Sequence, residues 1–305
     1  MQLKIVASTG TFKNIIVNLP LLALAGVLLA SCSSHQGHNG SDIELPDTGY
    51  HVSDKERYSP EDWPQPLHAQ VYTPKGPGLH PAVLVVHGGG WQRRSPEDMD
   101  AIARHLAGHG FVAINVEHRF APEYRFPAQL HDLQQAMHWI HANAKRLQVD
   151  PERVGALGFS SGAHLVSLMA LVAGQGGELD QPYGGILTRP AAVVSGGTPS
   201  DLRKWEDGRL VEQFTGGTQA EIPDTYAQAS PVYHVHSEAP PFFLFHGTWD
   251  MLVPTNHAID FYDELKSAGV PAELYLQKLR GHFTSFVFRQ GAIGEGTEFL
   301  HRHLK

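Results

Sequence analysis

Gly158-Phe159-Ser160-Ser161-Gly162 sits between a continuous apolar run and an apolar helical stretch. A G-x-S-x-G pentapeptide in that setting folds as a sharp strand-to-helix turn that exposes the serine hydroxyl at the strand end. Gly158 and Gly162 remove the side chains that so tight a turn cannot hold, and the helix N-terminus is aimed at the same point. Ser160 is therefore the candidate nucleophile. A serine hydroxyl attacks a carbonyl only with help from a base near neutrality, itself oriented by a carboxylate. For this turn type the expected chain order is Ser, acid, His. Downstream, Phe242-Phe243-Leu244-Phe245-His246-Gly247-Thr248-Trp249-Asp250 reads as a buried strand running into a loop, which nominates Asp250 as the acid. Gly281-His282-Phe283 follows the next strand, and His282 is the candidate base.

Attack on a carbonyl also needs hydrogen-bond donors for the oxygen that becomes negative. His87-Gly88-Gly89-Gly90-Trp91 directly follows an apolar run, and its glycines expose backbone N–H groups. Gly88 and Gly89, with the N–H of Ser161, form the candidate oxyanion hole, each donor supplying about 3 kcal/mol in the transition state. His87, Gly90 and Trp91, with Gly158 and Gly162, are expected to support the loop and the turn, His87 by a bracing hydrogen bond. Without its context the pentapeptide would be a chance glycine turn. The glycine triplet would otherwise be a flexible turn or a phosphate loop, but no Lys-Ser/Thr follows it. With 20 histidines in the chain, His282 is singled out by position rather than type. His246 is its rival but precedes the acid. Asp260 and Asp263 fall at helical spacing and read as surface residues.

Those groups need a scaffold of strands alternating with helices. Apolar patterning places strands at Leu67–Tyr72, Ala82–Val86, Phe111–Val116, Val154–Phe159, Ala191–Ser195, Phe242–Phe245 and Ala272–Leu279. Helices are expected at Asp98–Gly108, Ala128–Arg146, His164–Ala173, Asn256–Ala268 and Gly296–Leu304. Continuous apolar strands are covered on both faces. The fold class is thus α/β: one domain over residues 50–305 with a mostly parallel central sheet and helices on both faces. Two polar insertions, Gly174–Pro190 and Gly196–Pro240, are expected to shape a substrate entrance.

The composition is that of an ordinary globular protein rather than a disordered or collagenous one. The chain has 305 residues, 42% hydrophobic and 18% charged, and a formal net charge of −8, which gives no electrostatic reason to approach nucleic acid. One cysteine excludes an internal disulfide framework and a cysteine-rich zinc site. The pairs His234/His236 and His301/His303 lack carboxylate or cysteine partners at ligand spacing and are read as exposed, so no metal is expected.

Residues 1–31 have the layout of a secretory signal: Lys4 and Lys13 precede a nearly apolar stretch that ends in small residues. Leu29-Ala30-Ser31-Cys32 resembles the lipobox of bacterial lipoproteins, which implies that Cys32 is acylated and anchors the chain to a membrane. Residues 32–49 then read as the lipidated cysteine and a flexible tether, with Ser33–Ser41 almost free of apolar residues. Ser33 after the cysteine favours, in the proteins it resembles, the outer membrane of the bacterial envelope. Uncleaved retention or plain secretion is the alternative.

Taken together, the His87, Gly158, His246 to Asp250 and Gly281-His282 motifs resemble the α/β-hydrolase superfamily over about residues 50 to 305, in its hormone-sensitive-lipase-like and feruloyl/acetylxylan-esterase-like branches. Arg119-Phe120-Ala121-Pro122-Glu123, Phe126-Pro127-Ala128, Ala229-Ser230-Pro231 and Pro240-Pro241 resemble the connecting segments of those esterases. Many lipase-like relatives carry Asp before the nucleophile and Ala-Gly-Gly after it. Here Phe159 precedes it and Ser161-Gly162-Ala163-His164 follows, a run that also resembles arylformamidases. The short stretch before the first sheet strands leaves little room for a large helical cap. An open site suits short acyl groups, acetyl or feruloyl, on a small molecule or a polysaccharide. The resemblance implies serine esterase activity without a cofactor, rising with pH through the free-histidine range near 6 to 7. A small-amide hydrolase or a silent binding module are the alternatives. The sequence assigns no oligomeric state.

Overall fold

The structure, a computed structural model, describes residues 33–38, 43–205 and 208–304. The signal segment and Cys32 lie outside the described residues.

Six strands form the parallel centre: β5 (His80–Val86), β6 (Val112–Val116), β7 (Val149–Phe159), β8 (Val193–Gly196), β9 (Phe242–Gly247) and β10 (Ala272–Gln277). Around them lie β1 (Ser33–Gln36), β2 (Tyr50–Val52), β3 (Glu56–Arg57) and β4 (His68–Pro74). The order across the sheet is β1-β10-β9-β8-β7-β5-β6-β4-β2, with β3 also on β4. Pairing is parallel from β6 through β10 and antiparallel at both flanks. The α/β class with a mostly parallel sheet is therefore what the chain adopts.

Alternation along β5 explains its continuous apolar run. Ala82, Leu84 and Val86 join one core layer, and Val83 and Val85 join the other. Helices α1 (Asp100–Gly108), α2 (Ala128–Ala142), α3 (Ser161–Val172) and α6 (Asn256–Ser267) cover the two faces with α8 (Gln290–His303). Leu130, Leu133 and Met137 of α2, with Leu165, Leu168 and Met169 of α3, fill the first layer. Ile102 and Leu106 of α1, with Ile293, Phe299 and Leu300 of α8, fill the second. Among the described residues no helix is long and apolar enough to cross a membrane.

Several boundaries differ from the sequence reading. The helix expected from Asp98 is a 3₁₀ turn over Pro96–Met99 before α1, and α2 ends at Ala142 rather than Arg146. The last helix begins at Gln290 rather than Gly296. A short helix unmarked by periodicity, α7 (His282–Val287), precedes it. The insertion after β8 is not all loop, since it carries α4 (Arg209–Thr215) and α5 (Pro223–Gln228). The tether also requires correction: Ser33–Gln36 pairs antiparallel with Leu274–Gln277. An uncovered β10 edge would present a row of free N–H and C=O groups, and a polar strand satisfies them without needing an apolar face.

Candidate active site

Three loops at the carboxyl ends of β5, β7 and β9, and the loop after β10, meet at one point. Such strand ends are where open α/β sheets bind ligands. Ser160 caps β7 at φ 55°, ψ −124°, a conformation in which a side chain other than glycine is strained. Its N–H donates to the Gly196 carbonyl and its carbonyl accepts from His164 N–H. The glycines explain how the turn closes. A Cβ on Gly158 would stand 2.5 Å from the Gly162 carbonyl, and one on Gly162 would strike the Val86 backbone. Helix α3 starts at Ser161 rather than at His164, so the Ser161 amide lies in a first turn where it has no intrahelical acceptor.

His282 opens α7. Its Nε2 accepts from Ser160 Oγ at 2.8 Å, and its Nδ1 donates to Asp250 Oδ2 at 2.6 Å. Because ionised Asp250 can only accept, it fixes the tautomer that leaves Nε2 basic. The N–H groups of Leu252 and Val253 hold Asp250 Oδ1 at 3.0 and 2.8 Å. Burial pushes the Asp250 carboxyl up. Hydrogen bonds from His246 and His282, the attraction of His282 and the Val253 N–H outweigh that and hold it well below the usual carboxylate range. The Nε2 of the rival His246 lies 3.3 Å from Asp250 Oδ2 and donates its N–H to the Val253 carbonyl at 2.8 Å. It touches the Asp250 carboxylate and not Ser160.

Gly88 brings the second loop against Ser160: a Cβ there would stand 2.9 Å from the Phe159 carbonyl and 3.1 Å from Ser160 Cβ. Gly89, at φ 131°, has the Arg93 carbonyl where a side chain would go. The loop is braced from both ends. His87 Nδ1 donates to the Gly88 carbonyl at 2.7 Å, and its ring stacks on His118 at 4.5 Å. Burial pushes the His87 imidazole below its ordinary range and His118 down to about 3. Both are therefore neutral supports. Trp91 stacks on Phe214 at 4.5 Å, and its indole N–H donates to His164 Nδ1 at 3.2 Å. His164 Nε2–H in turn donates to the Ala229 carbonyl at 2.6 Å. One imidazole thus ties the glycine loop, α3 and the second insertion together. The run Gly162-Ala163-His164 was visible in the sequence, but nothing there paired it with Trp91.

Nearby, Arg119 and Asp132 form a buried ion pair at 2.7 Å that Trp63 Nε1–H joins at 2.8 Å, fixing the segment from Arg119 to Ala128. Gly197, at φ 58°, leaves room for His282, whose Cε1 a Cβ would approach to 3.1 Å.

Ser160, Ser161, Gly88 to Trp91 and His282 open on a cavity of about 610 Å³ whose walls include Met99, Phe159, Trp205, Leu210, Val211 and Phe286. The second insertion supplies Trp205 and Leu210, as its position after β8 suggested. The first does not reach the cavity. It follows α3, whose twelve residues rise about 18 Å away from Ser160. Asp180 instead ties that loop to itself by accepting from the N–H groups of Gly174, Gly176 and Gly185. His234, His236, His301 and His303 are half-buried rather than exposed, and the first three rings each bond a backbone carbonyl: Gln228, Leu171 and His109.

The arrangement can transfer the Ser160 proton to His282, hold the resulting imidazolium against Asp250 and receive a tetrahedral oxyanion near the Gly88 loop.

The chain is 27% identical over 208 residues to the probable carboxylic ester hydrolase LipM of Mycobacterium tuberculosis, covering 66% of this chain and 48% of that protein. It spans about half the length of the curated relatives it matches. Among solved structures, a truncated carbohydrate esterase from gut microbiota superposes with a TM-score of 0.74 at 23% identity, covering 85% of this chain and 99% of that one. The butyrate-bound Est2 esterase of Thermogutta terrifontis superposes with a TM-score of 0.70 at 25% identity, covering 85% and 95%. These neighbours share the α/β-hydrolase fold. The BD-FAE family profile matches residues 69–265, a span that runs from β4 to α6 and takes in Gly88, Ser160 and Asp250, and the chain belongs to the BD-FAE family.

Proposed function

We propose that the protein is a serine carboxylic-ester hydrolase in which Ser160 attacks, His282 moves the proton and Asp250 orients and stabilises His282. The amides of Gly88, Gly89 and Ser161 hold the oxyanion. The alcohol leaves with the proton from His282, and water repeats the sequence to free the acid. The observation that carries this reading is the unbroken hydrogen-bond line from Ser160 and His282, which line the cavity, to Asp250. The esterase relatives and the BD-FAE match support it.

The substrates of this reading are esters of short acyl groups on a small-molecule or carbohydrate alcohol. A butyrate-bound relative favours the short acyl group. Exposed Trp249 and Phe283, flanking Asp250 and His282 in sequence, favour an alcohol with faces to stack. Cys32 would hold the enzyme to the cell envelope as a lipid anchor, on the strength of the residues before it. Loss of palmitate labelling in Cys32→Ser tests that part.

Hydrolysis of p-nitrophenyl acetate, butyrate and octanoate, acetylated xylan and N-formylkynurenine by the wild type and Ser160→Ala tests the reaction. Faster cleavage of acetate or butyrate than of octanoate, absent in the variant, is expected. A preference for the formamide would overturn the ester assignment.

A further inference from the structure

A second cluster lies far along the sheet, where β1 borders β10. His35 of β1, His38 just beyond it and Glu295 of α8 each offer one ligand atom, and these three atoms lie within 4.8 Å of one another. Among the described residues no other group of three such side chains converges this way. We propose that His35, His38 and Glu295 bind a divalent transition cation, zinc by preference, and that the ion clasps the N-terminal strand to the body of the domain.

The hydrogen bonding prepares the ligands. Buried Glu273 receives Arg302 on Oε1 at 2.7 Å and His35 Nε2–H on Oε2 at 2.9 Å. That bond leaves the lone pair of His35 on Nδ1, which faces Glu295 Oε2 at 3.5 Å. A carboxylate that fixes the far nitrogen of a histidine is the usual support of a metal-ligating imidazole. Arg302 balances the charge of Glu273, so the cation is left to Glu295 and the two imidazole rings. His38 Nδ1 is buried without a hydrogen-bond partner, 3.5 Å from Glu273 Oε2. Two imidazoles and one carboxylate form the borderline N/O set that zinc favours, with water completing the shell. Ligand atoms around a tetrahedral zinc stand about 3.4 Å apart for bonds of about 2.1 Å. The closure required is small, and partly exposed Glu295 is free to make it.

The ion has a task there. β1 is the four-residue strand Ser-Ser-His-Gln with no apolar side chain, and among the described residues β10 is its one strand partner. Such a strand gains little from burial, whereas a metal joining it to α8 fastens it. Cys32 directly precedes it in sequence, so release of β1 lengthens the free chain after that residue.

The test uses the untagged full-length chain in detergent, stripped of metal, with zinc titrated against a chromophoric chelator and hydrogen exchange read over residues 33–38. The wild type is expected to bind about one zinc per chain, and His38→Ala and Glu295→Gln to weaken it at least about tenfold. The control His234→Ala/His236→Ala should bind as the wild type does. Zinc should slow exchange in β1 of the wild type and not of the two ligand variants. Failure to compete with the chelator, equal affinity in His38→Ala, or β1 exchange indifferent to zinc would each overturn the proposal. Ester hydrolysis by the stripped wild type is expected to be unchanged, which separates this proposal from the esterase reading.

Discussion

Gly88 and Ser160 approach so closely that a methyl group on Gly88 would stand 3.1 Å from Ser160 Cβ and 2.9 Å from the Phe159 carbonyl oxygen. The glycine loop is thus positioned by contact with the turn it serves. Gly88→Ala must push that loop away, moving its donors off the oxyanion. We expect kcat for p-nitrophenyl acetate to fall by roughly a hundred- to a thousandfold, the range for losing one such donor, with little change in KM. An unaltered kcat would place the oxyanion elsewhere.

Asp250 accepts the His282 Nδ1–H at 2.6 Å, so an amide in its place keeps the shape and turns the imidazole. Asp250→Asn is expected to lower kcat by about 10³ to 10⁴, with far-ultraviolet circular dichroism as in the wild type. His246→Gln should cost less, because His246 contacts the acid and not Ser160. If His246→Gln proved the more severe, the base would have to be reassigned.

Trp91 Nε1–H donates to His164, which spends its other nitrogen on Ala229. Trp91→Phe keeps a ring against Phe214 but leaves His164 Nδ1 buried and unpaired. Urea unfolding should report a loss of about 1 to 3 kcal/mol. Stability equal to the wild type would mean that the bond contributes nothing.

Burial pushes His118 down to about 3 and His164 down to about 4. Above the unfolded pKa near 6.5 both states are neutral and neither group affects stability. Below it the unfolded chain takes up protons that the native state refuses, so stability falls as pH drops from about 6.5 toward 4. These two groups alone give a slope of about 3 kcal/mol per pH unit at full effect. Burial also pushes His105 and His131 to about 4 and His257 to about 3, and these steepen it. Asp250 acts oppositely in origin but with the same sign: its depressed carboxyl stabilises above the unfolded pKa near 3.9, and that is lost only at still lower pH. Urea midpoints at pH 7.5 and 5 test this, and equal midpoints would contradict it.

How far the sequence carried this account depends on what kind of signal each element leaves. Strands β5 and β9 and the Val154–Phe159 part of β7 were legible because burial on both faces writes an unbroken apolar run, whereas Asp150–Arg153 of β7 is largely polar and partly exposed and was not. Ser160, Asp250 and His282 were legible because each stands where such a run ends. The first turn of α3 was not, since Ser161 to Ala163 are small residues required by the turn and carry no helical period. Helix α7 is six residues long, too short for periodicity to register. β1 has no apolar residue and is a strand only because β10 has an edge to cover. Trp205 and Leu210 reach the cavity through a long insertion whose path is set by tertiary packing, as with His164 in its bridge between Trp91 and Ala229.

The most direct test of the central claim is mass spectrometry of the protein after reaction with a fluorophosphonate, which labels only a serine activated by its neighbours. We expect one adduct per chain, on the peptide carrying Ser160, greatly slowed in Asp250→Asn and absent in Ser160→Ala. A label on another residue, or labelling of the wild type no faster than of Asp250→Asn, would contradict an activated Ser160.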